Sequence, residues 1–307
     1  MAMWIVRMGE SLLKSKPVRK HFTSVTRQTL ETQAALRGGA VRVRFDGGLM
    51  FVESEDEEIA RDAMMHTFGI VGIDPAIDCE ATPEAVAEKA LELNPDFEGS
   101  FAVRCKRHGA RGEWTSQTFA GAVGAAILAK RPDLTVNLRE PEWLVRCTLH
   151  PDRARLLDAR LMGPAGLPMG VQGLVLARLE SERDLAATFL AMRRGCRIRP
   201  LEGADPALLA RLVPYDPVLR DASLARRLKT GPQRRADAQP WAIVGADLSN
   251  LAPTSVGAWP EDAGVALKDA ERYEVATAAE LPRTPMAHLE PLVGMTEDEV
   301  AAILASI

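Results

Sequence analysis

Residues 163–198 read GPAGLPMGVQGLVLARLESERDLAATFLAMRRGCRI, and this stretch decides the fold. A turn of small and polar residues (Gly163, Gly166, Pro168, Gly170, Gln172) leads into the apolar run 174–179, which reads as a buried strand. Residues 185–194 then space their apolar side chains as an amphipathic helix does. Strand, tight loop and helix N-terminus form the place where nucleotide-binding α/β folds hold phosphate, because backbone N–H groups without partners converge there. The loop here is Glu180-Ser181-Glu182-Arg183-Asp184, and it contains no glycine.

Other motifs stand around this stretch. Gly166-Leu167-Pro168, Gly170, Gln172-Gly173 and Val175-Leu176 fit the pattern GLP-x-G-x-Q-G-x-V-L, and Arg193-Arg194-Gly195 follows the helix. Near the N-terminus Gly9-Glu10, Leu13-Lys14, Val18-Arg19 and Phe22 fit GE-x-x-LK-x-x-x-VR-x-x-F, and Pro291-Leu292-Val293-Gly294 comes late. In this order the motifs resemble the tRNA 4-thiouridine synthetase (ThiI) family, closely over residues 1–178 and in patches over 179–307. The resemblance implies an N-terminal ferredoxin-like domain (1–77) and a THUMP RNA-binding domain (78–162). A PP-loop, adenine nucleotide α-hydrolase-like domain (163–307) would follow them. The fold class expected is α/β with an α+β N-terminal half. Two departures stand out. At the family's S-G-G-x-D-S loop residues 180–185 keep only Asp184, and Thr296-Glu297 replaces a late Asp-Lys.

The residues themselves give the same order of elements. A strand at 3–8, a helix at 18–36, strands at 41–45 and 49–52 about a turn at 46–48, a helix at 59–68 and a strand at 71–77 make a ferredoxin-like βαββαβ series. Helices at 83–93 and 116–130 follow, with strands at 101–107, 134–138, 143–148 and 155–161.

Charge alternates in blocks: residues 1–44 carry +7, 45–98 carry −13, 99–164 carry +5 and 165–307 carry −3. A basic face able to meet phosphate and an acidic face turned away is consistent with that pattern. Side chains alternate along a strand, so Arg104 and Lys106 project together, with Arg107, Arg111 and Lys130 expected nearby. Ser116 begins a helix whose N–H groups could receive a phosphate. The resemblance makes the partner tRNA, held at its acceptor end. It adds Lys14, Lys16, Arg19 and Lys20 as the basic residues of the first domain. Trp114 stacks a base or covers a strand edge.

The last domain argues against chemistry. A carboxylate about 4 Å from a phosphate oxygen costs on the order of 4 kcal/mol at an effective dielectric near 20, and Glu180 and Glu182 stand in the loop. The four cysteines (Cys79, Cys105, Cys147, Cys196) are far apart in sequence and read as free packing thiols, with no catalytic pair among them. The histidines show no metal-ligand spacing, and no metal is expected. The expectation is thus a tRNA-binding protein that is not an enzyme and takes no cofactor, ATP included, and that serves a separate modifying enzyme. Its alternatives are an active ATP-dependent tRNA sulfurtransferase and a structural subunit that forms a homodimer. No run of apolar residues is long enough to span a membrane and no signal peptide opens the chain, so a cytoplasmic place without membrane contact is expected. The stretch 226–235 reads as a basic insertion.

Overall fold

The computed structural model describes residues 1–46, 49–109, 112–221, 224, 240–245 and 287–307. The turn expected at 47–48, Arg111 and the basic insertion at 226–235 lie outside the described residues.

Strand β1 (Ala2–Met8), helix α1 (Lys16–Leu36), β2 (Arg42–Asp46), β3 (Leu49–Ser54), α2 (Glu57–Met65) and β4 (Ile70–Cys79) follow the ferredoxin-like series. Their strands lie in the order β2-β3-β1-β4, and β1 runs antiparallel to β3 with Trp4 opposite Val52. Next come α3 (Pro83–Leu93), β5 (Ser100–Arg107), α4 (Ser116–Lys130), β6 (Thr135–Val136), β7 (Trp143–Leu149), β8 (Ala154–Leu157) and β9 (Leu161–Met162). The sheet continues as β4-β8-β7-β5-β6, with β9 paired to β4. One expected strand, 155–161, is two. Asp158 still gives its N–H to the Pro75 carbonyl of β4, but its own carbonyl accepts from Arg146, and the Arg160 guanidinium turns to Asp74 between the two strands.

By packing the chain divides into two compact units. One is formed by Met1–Val6, Arg44–Glu57 and Gly72–Leu161, the other by Arg7–Val43, Glu58–Val71 and Met162–Ile307. In the first unit α3 and α4 cover β5 and β7 over a core of Val86, Phe101, Val103, Phe119, Val123 and Val145. Sequence places both helices: Thr82 accepts the Ala85 N–H ahead of Pro83, and Thr115 and Thr118 close a reciprocal cap at the start of α4.

The second unit holds a small parallel sheet. Its elements are β10 (Leu174–Ala177), α5 (Glu182–Arg193), β11 (Arg197–Pro200), α6 (Pro206–Leu212), α7 (Pro217–Arg220), β12 (Ala242–Val244), β13 (Ala287–Leu289) and α8 (Glu297–Ala305). The order is β11-β10-β12-β13 with every pair parallel. Such strands are buried on both faces and read as unbroken apolar runs, as Leu174–Ala177 does. The chain therefore winds to one side of β10 and then to the other, and the crevice at the C-terminal ends of β10 and β12 is the topological switch point. Phe68, Phe189 and Tyr215 pack ring to ring in the core.

Among the described residues no helix is long and apolar enough to cross a membrane.

A buried ion cluster ties β4 to β7 in the first unit. Asp74, with its side chain fully buried, accepts from Arg146 at 2.7 Å and from Arg160 at 2.8 Å. Burial alone would push its carboxyl up, but the hydrogen bonds and charges of the two arginines outweigh it and hold the pKa below the ordinary value. Removing the anion leaves two cations without it, so Asp74→Ala should cost about 3 kcal/mol in chemical denaturation. The sign for pH follows from the depressed folded value. The contribution is present above the unfolded pKa near ~3.9 and is lost as pH falls through the folded one. The unfolding midpoint of the native chain should thus drop more steeply below about pH 4 than that of Asp74→Asn.

Candidate RNA surface and nucleotide cleft

Alternation along β5 sends Phe101 and Val103 into the core beneath α3 and α4, while Arg104 and Lys106 stand exposed. The parallel register places Arg146 beside Arg104 and Thr148 beside Lys106, and β8 adds Arg155 opposite Thr148. Sequence reading missed Arg146 and Arg155, although the same alternation in β7 and β8 carries the signal. Both are neutralised, Arg146 by Asp74 and Arg155 by Asp78 at 2.8 Å. Arg104 donates to the Leu138 carbonyl at 2.7 Å, and neither it nor Lys106 has a carboxylate partner among the described residues. These two cations remain available to a polyanion.

The other expected residues do not all join them. The Ser116 hydroxyl accepts from the Arg107 backbone N–H at 3.1 Å, so it ties β5 to α4 instead of waiting for phosphate. Lys130 sits at the opposite end of α4, about 21 Å along the axis, 3.8 Å from Glu88. Arg107 donates to the Gly109 carbonyl at 3.4 Å. Trp114 packs edge-on against Phe119 and is half-buried, which makes it a cover for the core. In the second unit Lys14, Lys16, Arg19 and Lys20 are all exposed at the start of α1, where no acidic residue and no side-chain cap balances the helix dipole. Cations at that end of a helix repel its dipole, and an anion relieves the repulsion.

At the switch point of the parallel sheet lies a cleft of about 670 Å³. Loop 178–184 forms one wall, and Gly245 with residues 289–295 the other. The Ser181 hydroxyl accepts from the Asp184 N–H at 3.2 Å, and the Asp184 carboxylate accepts from the Glu180 N–H at 3.1 Å, so the loop is closed on itself. Gly245 has φ +85°, and a Cβ there would come within 2.5 Å of the Arg178 carbonyl, so the end of β12 can approach the loop only as glycine. The N–H groups of Glu182 and Arg183, in the first turn of α5, have no intrahelical partner.

Two of the three carboxylates in this loop are compensated by cations, and Asp184 is held by the Glu180 N–H. Glu180 pairs with Arg178, Glu182 turns to Arg211 at 2.7 Å, and Arg183 pairs with Glu297 at 2.8 Å. The sequence-based expectation that Glu180 and Glu182 oppose a nucleotide with bare charge is therefore corrected. The volume of the cleft lies within the usual range of small-ligand sites. Arg178 and Arg183 line it, each paired with a carboxylate, and the two amides at the start of α5 lie in the same loop, which lacks glycine. Cys196, the one cysteine after residue 150, is buried, and burial pushes its thiol up to about 11, so it stays protonated at neutral pH. The fold does pair two other thiols that sequence spacing kept apart. The register of β5 and β7 sets Cys105 beside Cys147, and their hydrogen bond pulls Cys105 down and pushes Cys147 up.

Residues 80–157 match the model of the THUMP domain. The probable tRNA sulfurtransferase of Methanothermobacter thermautotrophicus is 28% identical over 203 residues, covering 63% of this chain and 50% of the relative. That of Oceanobacillus iheyensis is 29% identical over 210 residues, covering 66% and 51%. The chain thus spans about half the length of the curated relatives it matches. In fold it is similar to a crystal structure from Pyrococcus horikoshii, at TM-score 0.71 and 20% identity, over 99% of this chain and 98% of that one. It is also similar to a 4-thiouridine synthetase–RNA complex with bound ATP, at TM-score 0.64 and 18% identity, over 99% and 84%. The resemblance to the 4-thiouridine synthetases and the mixed α/β class with a THUMP domain are borne out. Two expectations are overturned. The relatives are named as sulfurtransferases, which are enzymes, against a chain expected not to be one. The solved relative carries ATP, against a chain expected to need no cofactor.

Because the Ser116 hydroxyl accepts from backbone, Ser116→Ala should lower stability by about 1 kcal/mol in denaturant unfolding and leave RNA retention unchanged. A loss of RNA binding at unchanged stability would return Ser116 to the phosphate-binding set.

Proposed function

We propose that this chain, a THUMP-bearing relative of the tRNA 4-thiouridine synthetases, grips tRNA by its phosphate backbone near the acceptor end and serves ATP-dependent tRNA thiolation. The observation that carries the reading is the pair of exposed cations Arg104 and Lys106 on β5, inside the THUMP-matching segment. Cations without carboxylate partners hold a polyanion through its backbone, a contact that positions the nucleic acid without reading sequence. The exposed cluster at the start of α1 adds contacts of the same kind. In this reading residues 1–77 and 78–162 act as the tRNA-binding part, and 163–307 as the part that handles the nucleotide. The crevice beyond β10 and β12 is the proposed ATP site, its phosphates met by the α5 amides and by Arg178 and Arg183. Bound ATP would supply activation of the base to be modified, and the chain's residues would hold and orient it. The cytoplasm is the proposed location, where the four free thiols stay reduced.

Filter binding of tRNA to the double variant Arg104→Glu/Lys106→Glu tests the grip. Affinity at about 0.15 M salt should fall at least tenfold and its salt dependence should flatten. Affinity within about twofold of the native chain refutes the assigned surface. Calorimetric titration with ATP should give a Kd in the micromolar range, weakened about tenfold (about 1.4 kcal/mol) by Arg183→Glu. No heat of binding at millimolar ATP would remove the cleft from the reading.

A further inference from the structure

Four motif segments that lie far apart along the chain meet in one place. Gly9-Glu10, Gly166-Leu167, Gln172, Arg193-Arg194 and Pro291 come from all four of the motif segments, and all of them line a single cavity of about 900 Å³ in the second unit. This cavity begins at the N-terminal side of β10 and β12, marked by Gln172 and Trp241, whereas the crevice lies at their C-terminal ends; Leu289, Glu290 and Pro291, at the end of β13, form a wall common to both. A junction needed only for packing would be filled. This one is open and has three kinds of wall. Trp241 is 40% exposed, and its indole N–H donates to the Gln172 carbonyl at 2.9 Å, which fixes the plane of the ring. Arg193 is exposed at the end of α5 and has no ion-pair partner among the described residues, whereas its neighbour Arg194 is neutralised by Glu10 at 3.0 Å. Leu190, Leu289 and the buried Cys196 supply an uncharged floor, and Glu290, on the wall shared with the crevice, brings an acidic residue to the lining.

A flat aromatic face held in one orientation, one available guanidinium, an apolar floor and an acidic residue suit a planar base that carries an amino group and a phosphate. We infer that this cavity binds a nucleotide unit, with its base laid on Trp241, its amino group on Glu290 and its phosphate on Arg193. The inference rests on the reading of the chain as an RNA-binding protein and adds to it a second, base-stacking contact. The unit can come from a free nucleotide or from an unstacked nucleotide of an RNA strand.

The test uses the full chain with two probes, cytidine monophosphate and a fluorescent single-stranded oligocytidylate. Cytidine is chosen over adenosine so that the ATP cleft does not compete. Trp241→Leu and Arg193→Ala should each weaken binding about tenfold, the size of one base–aromatic stack or one phosphate contact. Arg193→Ala changes an exposed side chain and keeps the test valid if Trp241→Leu lowers the unfolding midpoint. Binding of both probes assigns the cavity to mononucleotides, and binding of the oligonucleotide alone assigns it to RNA; both outcomes support the site. The double variant Arg104→Glu/Lys106→Glu should lose tRNA and keep the dependence of probe binding on Trp241 and Arg193. If the native chain binds neither probe, or both variants bind within twofold of it, the cavity site falls while the β5 surface stands on its own tRNA measurement.

Discussion

Gly166 lies so close to the end of α5 that a Cβ on it would come within 2.0 Å of the Arg193 carbonyl, and the second unit depends on this approach. With φ at +76° and no side chain, the loop drops onto the helix end. The Leu167 N–H then donates to Arg193 and the Gln172 N–H to the Gly195 carbonyl. Those bonds satisfy carbonyls that α5 leaves without partners at its C-terminus, and they set where the chain enters β10. Gly195, at φ +92° and closed in by Val171, Leu167 and Pro168, completes the same joint from the other side. The parallel sheet, the crevice beyond it and the cavity below it all take their geometry from this joint.

Charge does its work in both units by being spent or withheld. Arg146, Arg155 and Arg160 are spent on Asp74 and Asp78, so they hold strands together and present little field outward. Arg104, Lys106 and the α1 cluster are withheld from such pairing, and there a polyanion gains the most. The cleft beyond β10 and β12 shows the converse. Glu180 and Glu182 look forbidding when read in a row, yet Arg178 and Arg211 compensate them. An electrostatic argument from sequence counts charges, and the fold decides which of them remain uncompensated.

Much of the architecture was legible beforehand because it rests on local periodicity. The alternation of 101–107, the capped starts at Thr82 and Thr115, and the unbroken apolar run that became β10 each declare their element within a few residues. The strand that failed, 155–161, failed for a non-local reason. Arg160 leaves the ladder for a carboxylate 86 residues earlier in the chain. Ser116 and Lys130 were grouped with Arg104 by closeness in sequence, but a helix of fifteen residues carries its two ends far apart.

By itself the sequence determined the order of strands and helices, the family motifs and the presence of cations on alternate positions of β5, since each is encoded by neighbours along the chain. Tertiary structure alone decided which cations kept no carboxylate, that Cys105 meets Cys147, and that Gly9, Gly166, Gln172, Arg193 and Pro291 surround one cavity. These outcomes depend on which distant segments the sheet register and the glycine contacts bring together, and no local pattern along the chain records that choice.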